Sequence, residues 1–218
     1  MPMDFTRAAR SALTGLVLGL ATAVVNAATP VILVLGDSLS AEYGLPRGAG
    51  WVALLDKRLA AEQLKAQVVN ASVSGETTAG GMTRLPSLLA QHHPTHVVIE
   101  LGANDALRGQ ALSATQGNLS NMARASKQAG AQVLLLGMQV PPNFGKRYTQ
   151  DFADLFSKVA KAESTALVPF FLKGVADRPD ARDWFQADGI HPAAKAHPII
   201  LDNVWPVLRP LLLLGRQR

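Results

Sequence analysis

Five short apolar runs, separated by longer stretches of helical periodicity, constrain the fold of this chain more than any other feature. The runs are Val31 to Leu35, Gln67 to Asn70, His96 to Leu101, Gln132 to Gly137 and Ala166 to Phe170. The first is unbroken and ends at Gly36, the pattern of a strand buried on both faces. Between the runs, Trp51 to Glu62 repeats apolar residues at Val52, Leu55 and Leu59. Thr78 to Gln91 does so at Met82, Leu85, Leu88 and Leu89, and Leu112 to Ala129 and Thr149 to Glu163 complete the set. Strands alternating with helices of this length need crossover connections, which predicts a parallel sheet with helices on both faces. Leu211 to Leu214 reads as the end of a further packed helix, since four residues cannot cross a bilayer.

The 218 residues favour one domain. A chain of this size buries roughly 70% of its unfolded surface, enough for an ordinary core. With 48% hydrophobic and 17% charged residues, the composition argues against disorder. No internal repeat and no linker rich in Pro, Gly and Ser divides the chain. The absence of cysteine removes disulfides, a thiol nucleophile, Cys-based zinc sites and a lipidated N-terminal Cys.

Residues 1–27 do not share the pattern. Arg7 and Arg10 precede an uncharged apolar stretch, Leu13 to Val25, and Val25-Asn26-Ala27 offers a cleavage boundary. This order is that of a secretory signal peptide, and the stretch is shorter than the ~20 residues of a spanning helix. An uncleaved anchor is the competing reading. The expectation is a signal peptide over 1–27, a single domain over 28–218, and a periplasmic or secreted product without stable membrane insertion. The net charge of +5 includes Arg7 and Arg10 against Asp4, which leaves +4 beyond residue 27. Lys and Arg are scattered, so a nucleic-acid partner is not expected.

Open parallel sheets bind ligands beyond the carboxyl ends of their strands. Ser38 follows the first run, Gly75 the second and Asn104 the third, while Asp188 and His191 follow the fifth. Together they could supply a nucleophile, oxyanion donors, a general base and its orienting carboxylate. Each has a plainer reading. Ser38, expected near the start of a short helix, fits an N-cap. Its rival as nucleophile is Ser40. The segment approaches the G-x-S-x-G elbow, but Ser40 stands at the last Gly, which argues against an α/β-hydrolase. Asp188-Gly189-Ile190-His191 fits a surface turn as well as an Asp–His pair, Gly75 a simple turn, and Asn104 a cap. Glu76 and Asp105 read as helix-start or loop residues, because an extra anion beside an oxyanion site opposes catalysis. His92, His93 and His96 lack carboxylate or thiolate neighbours and favour a structural role over a metal site. Gly48-Ala49-Gly50-Trp51-Val52-Ala53 matches a loose dinucleotide pattern without the preceding strand it requires.

These blocks resemble the SGNH, or GDSL-type, hydrolases. The matching segments are Val34 to Ser40, Asn70 to Thr78, Glu100 to Gly109, Pro142 to Gly145 with Tyr148, and Asp188 to Pro192, in family order. The chain is most similar to the secreted bacterial group of acyl-CoA thioesterase I, protease I or lysophospholipase L1, and to related arylesterases. The resemblance implies a flavodoxin-like three-layer α/β/α sandwich with a five-stranded parallel sheet of order 2-1-3-4-5. It implies a Ser38–His191–Asp188 triad and an oxyanion hole from the N–H groups of Ser38 and Gly75 with the Asn104 amide. It implies no metal and no cofactor. Ala103 stands where many members carry a second glycine. The expected reaction is hydrolysis of acyl esters, thioesters or lysophospholipids by a monomer, through an acyl-enzyme. A carbohydrate O-acetylesterase and a non-catalytic ligand-binding module are the alternatives. Leu107, Pro141, Phe144, Tyr148, Trp184 and Ile190 are candidates to line an apolar groove, and ordinary packing explains each of them equally well.

Overall fold

The computed structural model describes residues 29–214; the expected signal peptide and its cleavage boundary lie outside them. The five strands are β1 (Val31–Gly36), β2 (Gln67–Asn70), β3 (His96–Glu100), β4 (Gln132–Leu136) and β5 (Ala166–Val168). All pair in parallel, in the order β2-β1-β3-β4-β5. The helices are α1 (Trp51–Ala61), α2 (Thr78–His92), α3 (Ala103–Leu107), α4 (Leu112–Gln128), α5 (Lys146–Glu163) and α6 (His197–Leu214).

The strand order dictates the layers. The step from β1 to β2 runs one way along the sheet, and the later steps run the other way. Right-handed crossovers therefore send α1 to one face and α2, α4 and α5 to the opposite face. Helix α6 returns to pack on α1, while α2 packs on α4 and α4 on α5. Strands covered on both sides carry no polar face, which is why Ile32 to Leu35, Val97 to Ile99 and Val133 to Leu136 are all buried. The winding direction along the sheet reverses between β1 and β3, which stay parallel, so a crevice opens beyond their carboxyl ends.

The expected helix near Ser38 is replaced by consecutive turns through residues 37–44. Ala41 N–H donates to the Asp37 carbonyl (3.0 Å) and Tyr43 N–H to that of Ser38 (3.4 Å), but Glu42 takes a positive φ of 60° and ends the coil. The Glu42 carboxylate holds this conformation by accepting from Gly48 N–H (3.1 Å) and Gly50 N–H (2.8 Å). The apparent dinucleotide loop thus wraps the Glu42 carboxylate. The full extent of α6 was illegible because Pro206 and Pro210 sit inside it. Both are exposed, while Ile200, Leu201, Val204, Trp205, Leu208 and Leu212 are buried.

Candidate active site

Ser38 lies in the turn that leaves β1. The turn is tight because Gly36 has no side chain: a Cβ there would sit 2.8 Å from Ser40 Cβ and 2.9 Å from Glu100 Oε2. His191 arrives from the far end of the chain, on the segment between β5 and α6. That segment is braced locally. Gln186 N–H donates to the His191 carbonyl (2.8 Å), Ala193 N–H to that of Trp184 (2.8 Å), and Phe185 bridges Pro192. Asp188 closes a small turn within it, with Oδ1 accepting from Ile190 N–H (2.9 Å) and His191 N–H (3.0 Å).

The other Asp188 oxygen lies 2.7 Å from His191 Nδ1, and His191 Nε2 lies 2.9 Å from Ser38 Oγ. The backbone donors, that of Ile190 foremost, and the His191 ring hold the Asp188 carboxyl down at about 2. An ionised carboxylate only accepts, so the ring proton resides on Nδ1. That leaves Nε2 free to accept from the Ser38 hydroxyl. The Tyr43 ring packs against the imidazole, with centroids 4.4 Å apart.

The two other candidate donors, Gly75 and Asn104, follow β2 and β3. Ala71 N–H bonds the Val34 carbonyl and Val73 N–H that of Gly36 (3.0 Å), so the loop that leads from β2 to Gly75 keeps alongside β1. Gly75 has φ 77°, and its carbonyl accepts from Arg108 (2.8 Å), which turns the peptide. Among the described residues, neither Ser38 N–H nor Gly75 N–H meets a protein acceptor. Asn104, in the first turn of α3, donates its side-chain amide to Asp37 Oδ2 (2.9 Å).

Ser40 is placed differently from Ser38. It is buried, donates to Glu100 Oε2 (2.8 Å) and accepts from Trp51 Nε1 (3.0 Å), which leaves it no route to a substrate. Asp105 is also buried. It accepts Thr78 N–H (2.9 Å) and the hydroxyls of Thr78 and Thr115, clamping α2 and α4 to α3. Glu76 pairs with Arg84 at 2.6 Å. The His92, His93 and His96 set does not converge: His96 is a buried strand residue bonded to Thr95 Oγ1 (2.8 Å) and the Leu211 carbonyl (3.2 Å). Burial lowers its pKa.

The groove candidates separate into two groups. Leu107 and Ile190 are exposed, beside Asn104 and His191. Phe144 stacks on Tyr148 with centroids 6.1 Å apart, next to exposed Pro141. Trp184 is engaged elsewhere, with Arg178 and Lys195 over its ring at 4.4 and 4.9 Å and its N–H on Asp180 (3.3 Å). Sequence reasoning missed three residues. Tyr43 and Val73 are exposed apolar neighbours of the site that belong to no apolar run. Glu100 is a fully buried carboxyl touching Asp37 N–H (3.3 Å) and Ser40. Its signal was available: a single acid inside the apolar run 96–101.

The sequence pattern of the GDSL-like lipase/acylhydrolase family matches residues 34–199. Esterase TesA of Pseudomonas aeruginosa is 56% identical over 187 residues, covering 86% of this chain and 92% of that protein. Thioesterase 1/protease 1/lysophospholipase L1 of Escherichia coli is 43% identical over 186 residues, covering 85% and 86%. A crystal structure of the psychrotrophic esterase EstA from Pseudoalteromonas sp., inhibited by monoethylphosphonate, superposes with a TM-score of 0.78 at 42% identity. It covers 84% of this chain and 98% of that one.

Proposed function

We propose that this chain, which belongs to the GDSL-like lipase/acylhydrolase family and hydrolyses carboxylic esters and thioesters, does so with Ser38 as nucleophile, His191 as general base and Asp188 as its orienting carboxylate. The observation that carries the assignment is the continuous contact Asp188–His191–Ser38, at 2.7 and 2.9 Å. In the first step His191 Nε2 takes the Ser38 proton and Oγ bonds to the acyl carbon. The carbonyl oxygen becomes an oxyanion facing the N–H groups of Ser38 and Gly75 and the Asn104 amide. When the intermediate collapses, the bond to the alcohol or thiol breaks and His191 returns its proton to the leaving group. Water, deprotonated by His191, then attacks the acyl-enzyme and releases the acid and Ser38. No step needs a metal or a cofactor.

The substrate class follows from the rim. Tyr43, Val73, Leu107 and Ile190 are four exposed apolar side chains within a few residues of Ser38, Gly75, Asn104 and His191. Such a rim suits acyl and aryl groups better than a carbohydrate, which needs clustered hydrogen-bonding side chains. Thioesters and lysophospholipids share the acyl group and fall within the same class. The Asp188–His191–Ser38 contacts form within one chain, so the triad of a monomer needs no second copy. Cleavage after Ala27 would deliver the enzyme outside the cytoplasm, to the periplasm or medium. No helix among the described residues is long and apolar enough to cross a membrane.

The test is a substrate panel: p-nitrophenyl esters from acetate to palmitate, an acyl-CoA, lysophosphatidylcholine and acetylated xylan. The first three classes should turn over and the xylan should not. A fluorophosphonate should label Ser38 alone. Turnover or labelling that survives Ser38→Ala, or labelling on Ser40, would overturn the assignment. Intact mass of the exported protein tests the boundary, and retention of residues 1–27 would reject it.

A further inference from the structure

Asp37 and Glu100 are both buried, and the mechanism above uses neither. Both oxygens of Asp37 are occupied as acceptors: Oδ1 by Leu39 N–H (3.0 Å) and Oδ2 by the Asn104 amide (2.9 Å). Glu100 Oε2 receives Asp37 N–H (3.3 Å) and the Ser40 hydroxyl (2.8 Å), which in turn accepts from Trp51 Nε1 (3.0 Å). From the surrounding elements, Asp37 faces Glu100 on β3, Asn104 on α3 and the His191 ring beyond β5. Among the described residues, no Lys or Arg pairs with either carboxyl.

Two touching carboxyls in the core without a cation do not both ionise. Burial, and then the charge on Asp37, push Glu100 well above the usual carboxylate range. Burial also raises Asp37, but only to about 6, because Leu39 N–H, Glu100, Asn104 and the nearby His191 all favour its anion. Near neutral pH the pair therefore holds one proton, on Glu100, and one charge, on Asp37.

That charge has a consequence for Asn104. The two ends of an amide are nearly isosteric, but one donates and the other accepts. A carboxylate oxygen accepts only, so Asn104 turns its NH2 end to Asp37 and its second N–H is left for a substrate. The flipped amide would set acceptor against acceptor and present a carbonyl oxygen where the acyl oxygen arrives.

We propose that Asp37 is a positioning residue of the oxyanion site: its buried carboxylate, accepting from the Asn104 side chain, selects the orientation of that amide that turns an N–H to the acyl oxygen. This rests on the reading of Asn104 as an oxyanion donor.

The test is a double-mutant cycle with p-nitrophenyl butyrate. In Asp37→Asn, one oxygen still accepts Leu39 N–H, but the new NH2 faces Asn104 and draws its carbonyl. Expected is a fall in kcat of about 10²-fold, the scale for losing one oxyanion donor, with KM changed less than ~3-fold. Added to Asn104→Ala, the same substitution should cost less than ~3-fold, because its target is gone. Equal losses in both backgrounds, or no loss in the parent, overturn the proposal. A near-normal kcat in Asn104→Ala alone overturns the oxyanion reading and the proposal with it. Glu100→Gln mimics the neutral carboxyl and should hold kcat within ~5-fold of the parent; damage equal to that of Asp37→Asn counts against the scheme. Should Asp37→Asn fail to fold, carboxyl carbon NMR of the unaltered protein decides, with Glu100 assigned through Glu100→Gln. A neutral Glu100 beside an ionised Asp37 at pH 7.5 supports the proposal, and two ionised carboxylates refute it.

Discussion

Asp37 and Asp188 are the same residue in two surroundings that move it in opposite directions. Asp188 sits in an exposed turn of its own making, where the N–H groups two and three residues down the chain, with the His191 ring, hold its carboxyl at about 2. Asp37 lies in the core against a second acid, and burial lifts it to about 6. The first is stabilised by residues adjacent in sequence, the second is perturbed by one 63 residues away. The proposed base side of the site is thus a local motif, while the proposed oxyanion side is a product of strand order. A local motif survives changes elsewhere in the fold; the other depends on how β1 meets β3.

The largest expected effect tests the local side. Asp188→Asn retains an oxygen for Ile190 and His191 N–H but turns an NH2 toward Nδ1, favouring the wrong tautomer. kcat should drop about 10⁴-fold, the scale for such a tautomer defect, with little change in Tm. A loss below ~10-fold in steady-state kinetics would show that Asp188 does not orient His191. Next comes Asn104→Ala, for which kcat should fall about 10²–10³-fold at nearly constant KM, since the contact strengthens only as charge develops. Near-normal kcat with a lowered Tm would make Asn104 a mere cap.

Stability should also respond to pH. The folded-state pKa of Glu100 is raised, so the folded state keeps a proton that the unfolded chain loses above about pH 4.5. This group therefore costs stability increasingly as pH rises, by about 1.4 kcal/mol per pH unit until it ionises in the fold. Glu100→Gln removes that slope, so its Tm relative to the parent should climb between pH 5 and 8. A constant difference would mean that Glu100 ionises normally. Asp188 has the opposite sign: its contribution is present above its ordinary value of 3.8 and is lost as pH falls toward about 2. Asp188→Asn should accordingly change the acid limb of the stability curve and leave the neutral region alone. The smallest effect is expected at the rim. Leu107→Ala or Phe144→Ala should change the ratio of long-chain to short-chain kcat/KM by roughly tenfold, the scale of a small apolar pocket change. Unaltered chain-length profiles in both variants would remove these loops from the specificity surface.

The sequence alone determined the layer architecture, because strands buried on both faces must be apolar throughout and helices packed on one side must repeat every three or four residues. It also marked Ser38, Gly75, Asn104, Asp188 and His191, since each follows a strand at the edge where such sheets bind ligands, and the Asp188–His191 turn is short-range. Helix α3, the length of α6 and the turn after Ser38 stayed hidden: five residues are too few to show a period, two prolines mask a helix, and Glu42 ends the coil through bonds to a loop further on. Only the tertiary structure decided that Ser40 is buried, that Trp184 is engaged by cations, and that Glu100 meets Asp37. The register of β1 on β3 pairs Gly36 with Glu100. No local pattern encodes that pairing, because it arises only when two strands separated by a crossover lie side by side.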